Sequence, residues 1–410
     1  QPAPTIDCID DEGKNIRRLY VNARATGANN GQSWKDAYVS LQTALQMASS
    51  CPRVKNIWVA AGTYLPSETD DPMESFQMRD GLQIYGGFAG TEDKLNERDW
   101  EANLTILSGA IGSSSFTDNS WHIVEARDIE DYFILDGFII RDGYADGSGA
   151  ERHGAGIQMV DVAKAEIANC SFINNQALKG NGGAIDMFNS RAEISYSSFY
   201  DNTARGDGGA IYVHKTSSSI SVDICNFQRY VSTEEEGGAI YADGTRQRIV
   251  SSLFIDNEAE QGGAVYVGTV GVLDVLNGTF SRNKARTKLG DALRVRGTTS
   301  VLNSIFWDNE TAGPISVDGT GLIINYSLIE GGYPGINNLN KNPRFVHPAG
   351  DDFSLLYYSP VINTGHTSGS ILADDLAGND RISGTAVDMG AYEFAISDKP
   401  CAEVINVKAD

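Results

Sequence analysis

A repeat of about 27 residues constrains this sequence more than any other feature. Each copy carries the pattern Phe-x-x-Asn, followed by Gly-Gly-Ala-Ile or a close variant. The Phe and Asn positions are Phe172 and Asn175, Phe199 and Asn202, Phe254 and Asn257, Phe280 and Asn283, and Phe306 and Asn309. One further copy has Tyr230 in place of Asn, which predicts an altered bend with Glu234–Glu236 bulging into solvent. A chain of such copies grows along one axis.

Between the repeat markers, apolar residues alternate with polar ones. Ala192–Tyr196 and Val272–Leu276 show this period of two, which is typical of β-strands with one buried face. The pattern predicts an all-β solenoid, a right-handed parallel β-helix with rungs spaced at about 4.8 Å. In such a coil the Phe column fills the interior, the Asn column satisfies backbone groups at a bend, and the paired Gly permits positive φ at a corner.

The ends of the chain differ from the repeat. An amphipathic helix is predicted to begin at Ser33, which is followed three residues later by Asp36, and to cover the open end of the coil. Its apolar face consists of Trp34, Ala37, Leu41, Ala44, Leu45 and Ala48. The predicted parts are an N-terminal cap at 1–56, the β-helix at 57–345 with regular rungs at about 133–330, and a C-terminal cap or anchor-like segment at 346–410.

Composition limits the partners and the location of the protein. Asp and Glu outnumber Lys and Arg by 54 to 32, and the net charge of −22 disfavours nucleic acid, because phosphate binding relies on Lys and Arg. No run of about 18 apolar residues occurs, so no transmembrane segment is predicted. The start, Gln1-Pro2-Ala3-Pro4, resembles a mature N-terminus after signal-peptide removal, although a trimmed chain would begin in the same way.

The five cysteines fit no zinc-binding spacing. Cys8 and Cys51 are predicted to form a disulfide in an oxidising compartment. Cys170 and Cys225 each stand two residues before a repeat Phe and are interpreted as small, buried core residues. The pattern assigns no partner to Cys401.

In this repeat the chain resembles the polymorphic outer-membrane protein family, whose passenger domains are β-helices exported to bacterial surfaces. The N-terminal half resembles that of large secreted β-helix proteins of Gram-negative bacteria, in Tyr20–Asn22, Trp34, Val59–Tyr64 and Ile84–Gly90. Asp375–Arg381 and Val387–Glu393 are similar to the choice-of-anchor C-terminal segment of such proteins. The resemblance implies a secreted or cell-surface protein on the outer-membrane exterior, with a cell-surface glycan, a protein or an outer-membrane complex as its partner.

The stretch from Arg141 to His153 is the richest cluster of chemically active side chains, and it lengthens one rung. Three interpretations stay open: a flexible loop, a binding or metal site, and a catalytic site. Ca²⁺ prefers oxygen ligands, so Asp142, Asp146 and Glu151 are candidate ligands of a structural Ca²⁺, and no other cofactor is predicted. The candidate binding residues are Arg141, Asp142, Tyr144, Asp146, Glu151, Arg152 and His153.

No catalytic set can be assigned from the sequence. A glycosidase needs two carboxylates at a defined separation, whereas adjacent acids such as Asp351 and Asp352 point to opposite faces of a strand. The predicted function is therefore adhesion, or binding of a glycan or protein partner along the coil, without catalysis. The alternative is a carbohydrate-active β-helix enzyme, a polysaccharide lyase before a glycoside hydrolase, with the Arg141–His153 loop forming its cleft.

Overall fold

The computed structural model describes residues 8–9, 13–112, 115–310, 313–318, 321–367 and 372–395, and Cys401 lies outside them. Four sheets of parallel strands form a coil. The chain visits them in the order A, B, C and D and then returns to sheet A one rung further along. Each strand pairs with the equivalent strand of the next rung, so the fold is a right-handed parallel β-helix, as the repeat predicts.

The described strands are distributed over the four sheets as follows. Sheet A contains Arg18–Val21, Asn56–Ala60, Leu82–Phe88, Phe133–Asp136, Ala165–Ala168, Arg191–Ser195, Ser219–Asp223, Arg246–Val250, Val272–Leu276, Thr298–Leu302 and Leu322–Asn325. Sheet B contains Gly62–Tyr64, Thr105–Ser108, Ile139–Arg141, Ser171–Ile173, Ser198–Tyr200, Asn226–Gln228, Leu253–Ile255, Thr279–Ser281, Ile305–Phe306 and Leu328–Ile329.

Sheets C and D complete each rung. Sheet C contains Gln176–Ala177, Thr203–Ala204, Val231–Ser232, Glu258–Ala259 and Lys284–Ala285. Sheet D contains Phe76–Gln77, Val124–Ile129, Ile157–Val162, Ile185–Phe188, Ile211–His214, Ile240–Ala242, Val265–Val267, Leu293–Val295 and Ile315–Val317. The other elements are the α-helix Leu41–Ser50, the 3₁₀ turns Leu95–Glu97, Phe116–Asp118, Gly149–Arg152 and Pro348–Gly350, and an antiparallel pair, Phe345–His347 with Asp352–Leu355.

A continuous column of phenylalanine rings fills the interior of the coil. Neighbouring rings are stacked with centroids 4.5–4.8 Å apart and planes within 9° of parallel. This spacing equals the separation of neighbouring strands, so each rung places one ring directly on the last. The column confirms the register predicted from the sequence, and its members are Phe172, Phe199, Phe227, Phe254, Phe280 and Phe306.

The asparagine column satisfies buried backbone groups at the bend between sheets B and C. The Nδ2 atom of Asn257 donates to Asn283 Oδ1 at 2.7 Å and to the Phe227 carbonyl at 3.3 Å. Tyr230 keeps the column connected, because its hydroxyl accepts from Asn202 Nδ2 at 3.2 Å and its own N–H donates to Asn257 Oδ1 at 3.3 Å. The bend therefore survives the replacement.

The predicted bulge beyond Tyr230 is limited to its tip. Glu234 and Glu235 are exposed, but Glu236 is half-buried and its Oε1 accepts from Gln261 Nε2 at 3.1 Å. Glu236 also forms a parallel bridge with Gln261, so the chain has rejoined the rung at this point.

The paired glycines serve two separate needs at the corner between sheets C and D. The first has positive φ, for example +64° at Gly208. A Cβ on the second, Gly209, would overlap the carbonyl oxygen of Gly238 in the next rung. One position therefore requires the left-handed conformation and the other requires close backbone approach.

An amphipathic helix covers the N-terminal end of the coil, as predicted, but it begins later than Ser33. The helix is Leu41–Ser50, and its N-cap is Ser40, whose side chain accepts from Thr43 N–H. The start moves because Tyr38 pairs with the first strand of sheet A, which requires extended backbone up to that point. Ser33 instead bonds Asp36 in a turn. The helical residues of the predicted apolar face are buried, namely Leu41, Ala44, Leu45 and Ala48.

The cysteines behave as the sequence predicts within the described residues. Cys8 and Cys51 form a disulfide that ties the start of the chain to the end of the helix. Cys170 and Cys225 are buried, unpaired thiols whose pKa burial raises to about 12, so they belong to the core.

The C-terminal segment, residues 341–367 and 372–395, runs back along the outer face of sheet B. Val361, Met389 and Phe394 pack on Leu253 and Ile305, two outward-facing side chains of that sheet. Hydrogen bonds fix the position of the segment, with Asn277 Nδ2 donating to the Asp388 carbonyl at 3.0 Å and Ala391 N–H to Thr279 Oγ1 at 2.9 Å. The later rungs of sheet B are therefore covered, and the earlier ones are left open.

Candidate functional site

The loop predicted to bind a ligand lies between the B strand that ends at Arg141 and the D strand that begins at Ile157. Asp142 has φ of +65° at its start, Tyr144 pairs with Gln176 of sheet C, and residues Gly149–Arg152 form a 3₁₀ turn. The extra residues thus build an enlarged corner of the coil.

The carboxylates of this loop are not brought together. Asp142 lies 3.3 Å from Arg141 Nε and accepts from Asn174 Nδ2, whereas Asp146 lies 2.5 Å from Lys179 Nζ. Glu151 contacts buried His122 at 3.0 Å, and this contact holds the pKa of Glu151 below its usual range. Among the described residues, Asp142, Asp146 and Glu151 are not a group whose ligand atoms lie within 4.8 Å of one another, and each carboxylate has a different partner.

His153 and Arg152 also have structural partners. His153 Nδ1 accepts from Asn181 N–H at 2.9 Å, and Arg152 Nε lies 3.2 Å from its Nε2. The ring lies against Tyr212 with centroids 6.3 Å apart, and burial lowers the pKa of His153. Burial and the bond at Nδ1 both favour the neutral imidazole, which joins this corner to sheet D.

Among the described residues, one group of three carboxylates has ligand atoms within 4.8 Å of one another: Asp207, Glu235 and Glu236. Asp207 Oδ1 accepts from Glu236 N–H at 3.1 Å, and burial together with the two glutamates raises the pKa of Asp207 to about 8. Sequence reasoning noticed the Glu run but missed Asp207, because only the register of adjacent rungs brings the two segments together.

Three tyrosines form a second aromatic column, on the outer face of sheet D. Tyr212 and Tyr241 have ring centroids 5.2 Å apart, and Tyr241 and Tyr266 5.3 Å apart. His214 stacks on Tyr212 at 4.4 Å and lies 3.2 Å from Asp186 Oδ1. Because neighbouring rings cover one another's faces, this column offers a ligand mainly ring edges and hydroxyls.

A walled groove follows the corner between sheets A and B, where the C-terminal segment leaves sheet B open. We call it the aromatic groove. Trp100 stands at one end, Leu376 and Tyr392 bound the other, and Tyr196 lies between them. Its floor consists of the outward-facing residues Ile139, Ser171, Ser198 and Asn226, which occupy consecutive rungs.

Tyr196 is the exposed bulky residue in its column. The corner between sheets A and B needs a residue with positive φ, and this position is Asn169, Ile224, Ser251, Asn277, Asn303 and Tyr326 in other rungs. Ile224 is buried and Tyr326 is partly buried, so packing accounts for those two. Asn adopts this conformation readily, whereas a bulky residue there is uncommon and strained. Tyr196 has φ of +48° and is 51% exposed, so neither backbone preference nor burial accounts for it.

The groove is held in shape by contacts outside its floor. Arg98 lies over the Trp100 ring at 5.0 Å and forms a largely buried ion pair with Asp136 at 2.7 Å, so Trp100 is supported from behind although it is 38% exposed. The Tyr196 hydroxyl donates to Asp374 Oδ2 at 3.3 Å. The groove therefore combines aromatic rings with a floor that contains Ile139 as well as hydroxyl and amide groups, and Glu101 also lines it.

Known proteins resemble this chain in its repeat and in its fold. Residues 169–186 and 196–214 match the Chlamydia polymorphic membrane protein (Chlamydia_PMP) repeat. The predicted resemblance of the repeat is confirmed. A solved structure described as pectate lyase Pel9A matches with a TM-score of 0.52 and 16% identity, covering 95% of this chain and 100% of that chain. This likeness shows the β-helix fold alone.

No curated protein matches the sequence. Within the described residues, no helix has the length and apolar character needed to cross a membrane. The repeat and the fold fit an exported β-helix protein.

Proposed function

We propose that this protein is secreted or displayed on the surface of a Gram-negative bacterium, and that it binds a neutral glycan chain in the aromatic groove without cleaving it. The repeat shared with a surface-protein family supports the location. The loop from Arg141 to His153 is not part of this proposal, because its charged groups are mostly paired within the protein.

Tyr196 carries the proposal. Strained, exposed residues persist where the surrounding structure holds them, and they cluster at ligand sites. Tyr196 is such a residue, and it stands in a groove together with a second exposed ring, Trp100. A Tyr in place of Asn at this corner costs backbone strain, which a ligand contact would offset.

The chemistry of the groove suits a sugar chain. Aromatic rings have electron-rich faces that attract the C–H groups of a sugar ring, and fixed polar groups then select its orientation. Ser171 and Ser198 have hydroxyls 3.4 Å apart on the floor, and Asn226 Nδ2 donates to the Tyr200 hydroxyl at 3.4 Å. Consecutive rungs repeat these groups at about 4.8 Å, which favours a linear polymer.

The test is substitution of Tyr196 by the residue that the corner prefers. Tyr196→Asn is expected to weaken binding of cello-, xylo- or chito-oligosaccharides about five- to tenfold, the loss of one stacking contact. Its free energy of unfolding is expected to stay unchanged or rise by about 1 kcal/mol, because the strain is relieved. Binding is measured by titration of tryptophan fluorescence, which reports on Trp100.

Tyr357→Ala is the matched control, because Tyr357 is an exposed tyrosine that does not line the groove. It is expected to bind as the parent protein does. Unchanged binding by Tyr196→Asn, or equal loss by Tyr357→Ala, would refute the proposed site.

A polysaccharide lyase is the second candidate. Two observations favour it. The carboxylate oxygens of Asp207, Glu235 and Glu236 could hold Ca²⁺ beside the cationic Arg205. The fold is shared with a pectate lyase. Arg205 is paired with Glu234 at 2.9 Å, which leaves it a poor base. Unsaturated products from polygalacturonate, detected by ultraviolet absorbance and lost in Asp207→Asn, would establish the lyase.

A further inference from the structure

The outer face of sheet A carries cationic side chains on neighbouring rungs. Arg191, Ser219 and Arg246 occupy one column in register, and Arg248 lies beside Ser221 in the next column. Ser219 and Ser221 belong to one strand. That strand lies about 4.8 Å from the strand of Arg191 on one side and about 4.8 Å from the strand of Arg246 and Arg248 on the other. We call this arrangement the sheet A notch.

The notch is positive on a protein whose net charge is −22. Lys164 and the three arginines line it, together with a single acid, Glu193. Lys164 is compensated by Glu166 at 2.7 Å and Glu193 at 3.3 Å. Acids outside the notch lie at longer range, Asp274 at 3.9 Å from Arg246 and Asp223 at 3.7 Å from Arg248.

Arg191 is the least compensated of these cations. Among the described residues it forms no ion pair, although its side chain is exposed and lies next to Lys164 on the preceding rung. Like charges on directly opposed strand positions destabilise a sheet. Arg246 also lines the notch and is 79% exposed at its side chain.

We propose that the sheet A notch binds an anionic polysaccharide. A sulfate or carboxylate group accepts from the Ser219 hydroxyl and is held by Arg191 from one side and by Arg246 and Arg248 from the other. Ser221 instead donates to Asp223 Oδ2 at 3.2 Å and lies opposite Glu193, which places the anion over the Ser219 column. Guanidinium groups pair with such planar or tetrahedral anions through two parallel hydrogen bonds. This inference concerns a different sheet face and a different ligand class from the aromatic groove, and it stands independently of it.

Charge density selects a polysaccharide over a nucleic acid. Duplex DNA carries one phosphate charge per about 1.7 Å, and its binding requires many cations along its length. The notch offers four cations within a few rungs of an otherwise acidic surface, which would repel the rest of a densely charged polymer. A polysaccharide with sparser charges places one anion in the notch at a smaller electrostatic cost.

Two kinds of variant test the notch in the full chain. Arg191→Ser and Arg246→Ser each remove one cation and copy Ser219 of the intervening rung. Each is expected to weaken binding of chondroitin sulfate and of polygalacturonate about tenfold. Ser219→Glu supplies an internal carboxylate to the same arginines, so it is expected to abolish binding while raising the melting temperature. Binding is measured by calorimetry at about 0.05 M salt and is expected to disappear near 0.5 M.

Arg229→Ser is the matched control, because Arg229 is an exposed arginine paired with Asp201 at the corner between sheets B and C. It removes the same charge from the molecule and is expected to leave binding unchanged. Absence of binding to both anionic polysaccharides at low salt would overturn the proposal. Equal binding of neutral dextran or duplex DNA, or parental affinity in the Arg191→Ser and Arg246→Ser double variant, would do the same.

Discussion

At the scale of single residues, Gln247 is out of place. It points into the coil between Ile220 and Leu273, its partners on neighbouring strands, and it is 1% exposed. Within the part of the chain that the structure describes, neither its Nε2 nor its Oε1 atom has a hydrogen-bond partner. A buried amide without partners loses its hydration and gains nothing in return. The alternation of the sequence marks this position as inward, but it does not reveal whether a buried amide finds a partner.

Gln247→Leu is expected to raise the free energy of unfolding by about 1–3 kcal/mol, because it removes the unpaired amide and continues the apolar column. Chemical denaturation measures the change. Gln158→Leu is the matched control with the opposite sign, since Gln158 is also buried but donates to the Ala150 carbonyl at 2.7 Å. A loss of stability in Gln247→Leu would show that the amide is satisfied.

At the scale of elements, the columns were the part of the structure that the sequence predicted best. Rungs repeat the same short-range pattern, so one copy specifies its contacts with the next. The aromatic groove could not be predicted in this way, because Trp100, Tyr196 and Tyr392 belong to segments far apart in sequence. A weak signal existed in Tyr196, because Asn or Ser occupies this turn position in four other repeats, but Ile224 and Tyr326 depart from that preference as well.

The phenylalanine column allows a direct test of the rung register. Phe254→Ala is expected to cost about 3–5 kcal/mol, because it leaves a cavity between the rings of Phe227 and Phe280. Phe116→Ala, at an exposed phenylalanine in a 3₁₀ turn, is expected to change stability by less than about 0.5 kcal/mol. Equal unfolding midpoints for the two variants would contradict the column.

At the scale of the whole molecule, the C-terminal segment is held by a buried cluster of charges. Arg381 donates from Nη2 to the carbonyls of Asp388 and Gly390, and Asp375, Asp388 and Glu393 surround it. The Glu393 carboxylate accepts from the N–H groups of Ser383 and Asp388. Three acids face one cation in a site with little water, so the cluster contains more negative charge than it can neutralise.

The resemblance of this segment to a choice-of-anchor sequence stays a prediction.

This cluster predicts a dependence of stability on pH. Burial, and then Asp388, raise the pKa of Glu393 from 4.5 to about 7. A folded-state pKa above the unfolded value means that stability is fully present below about pH 4.5 and falls as the pH rises through 7, by about 2–3 kcal/mol. The difference in melting temperature between the parent protein and Glu393→Gln, followed over this range, measures the effect. A constant difference would show that Glu393 does not titrate there.

The path of the C-terminal segment along sheet B also sets the length of the aromatic groove. Trp100 belongs to an early rung, whereas Leu376 and Tyr392 are fixed to later rungs through the returning segment. The distance between the two walls is therefore counted in rungs. Duplicating one repeat between Gly137 and Tyr196 would lengthen the interval by about 4.8 Å and leave both walls intact. Gain or loss of one repeat in the gene would therefore change the length of ligand that the proposed groove accommodates, while the contacts of each wall stay the same.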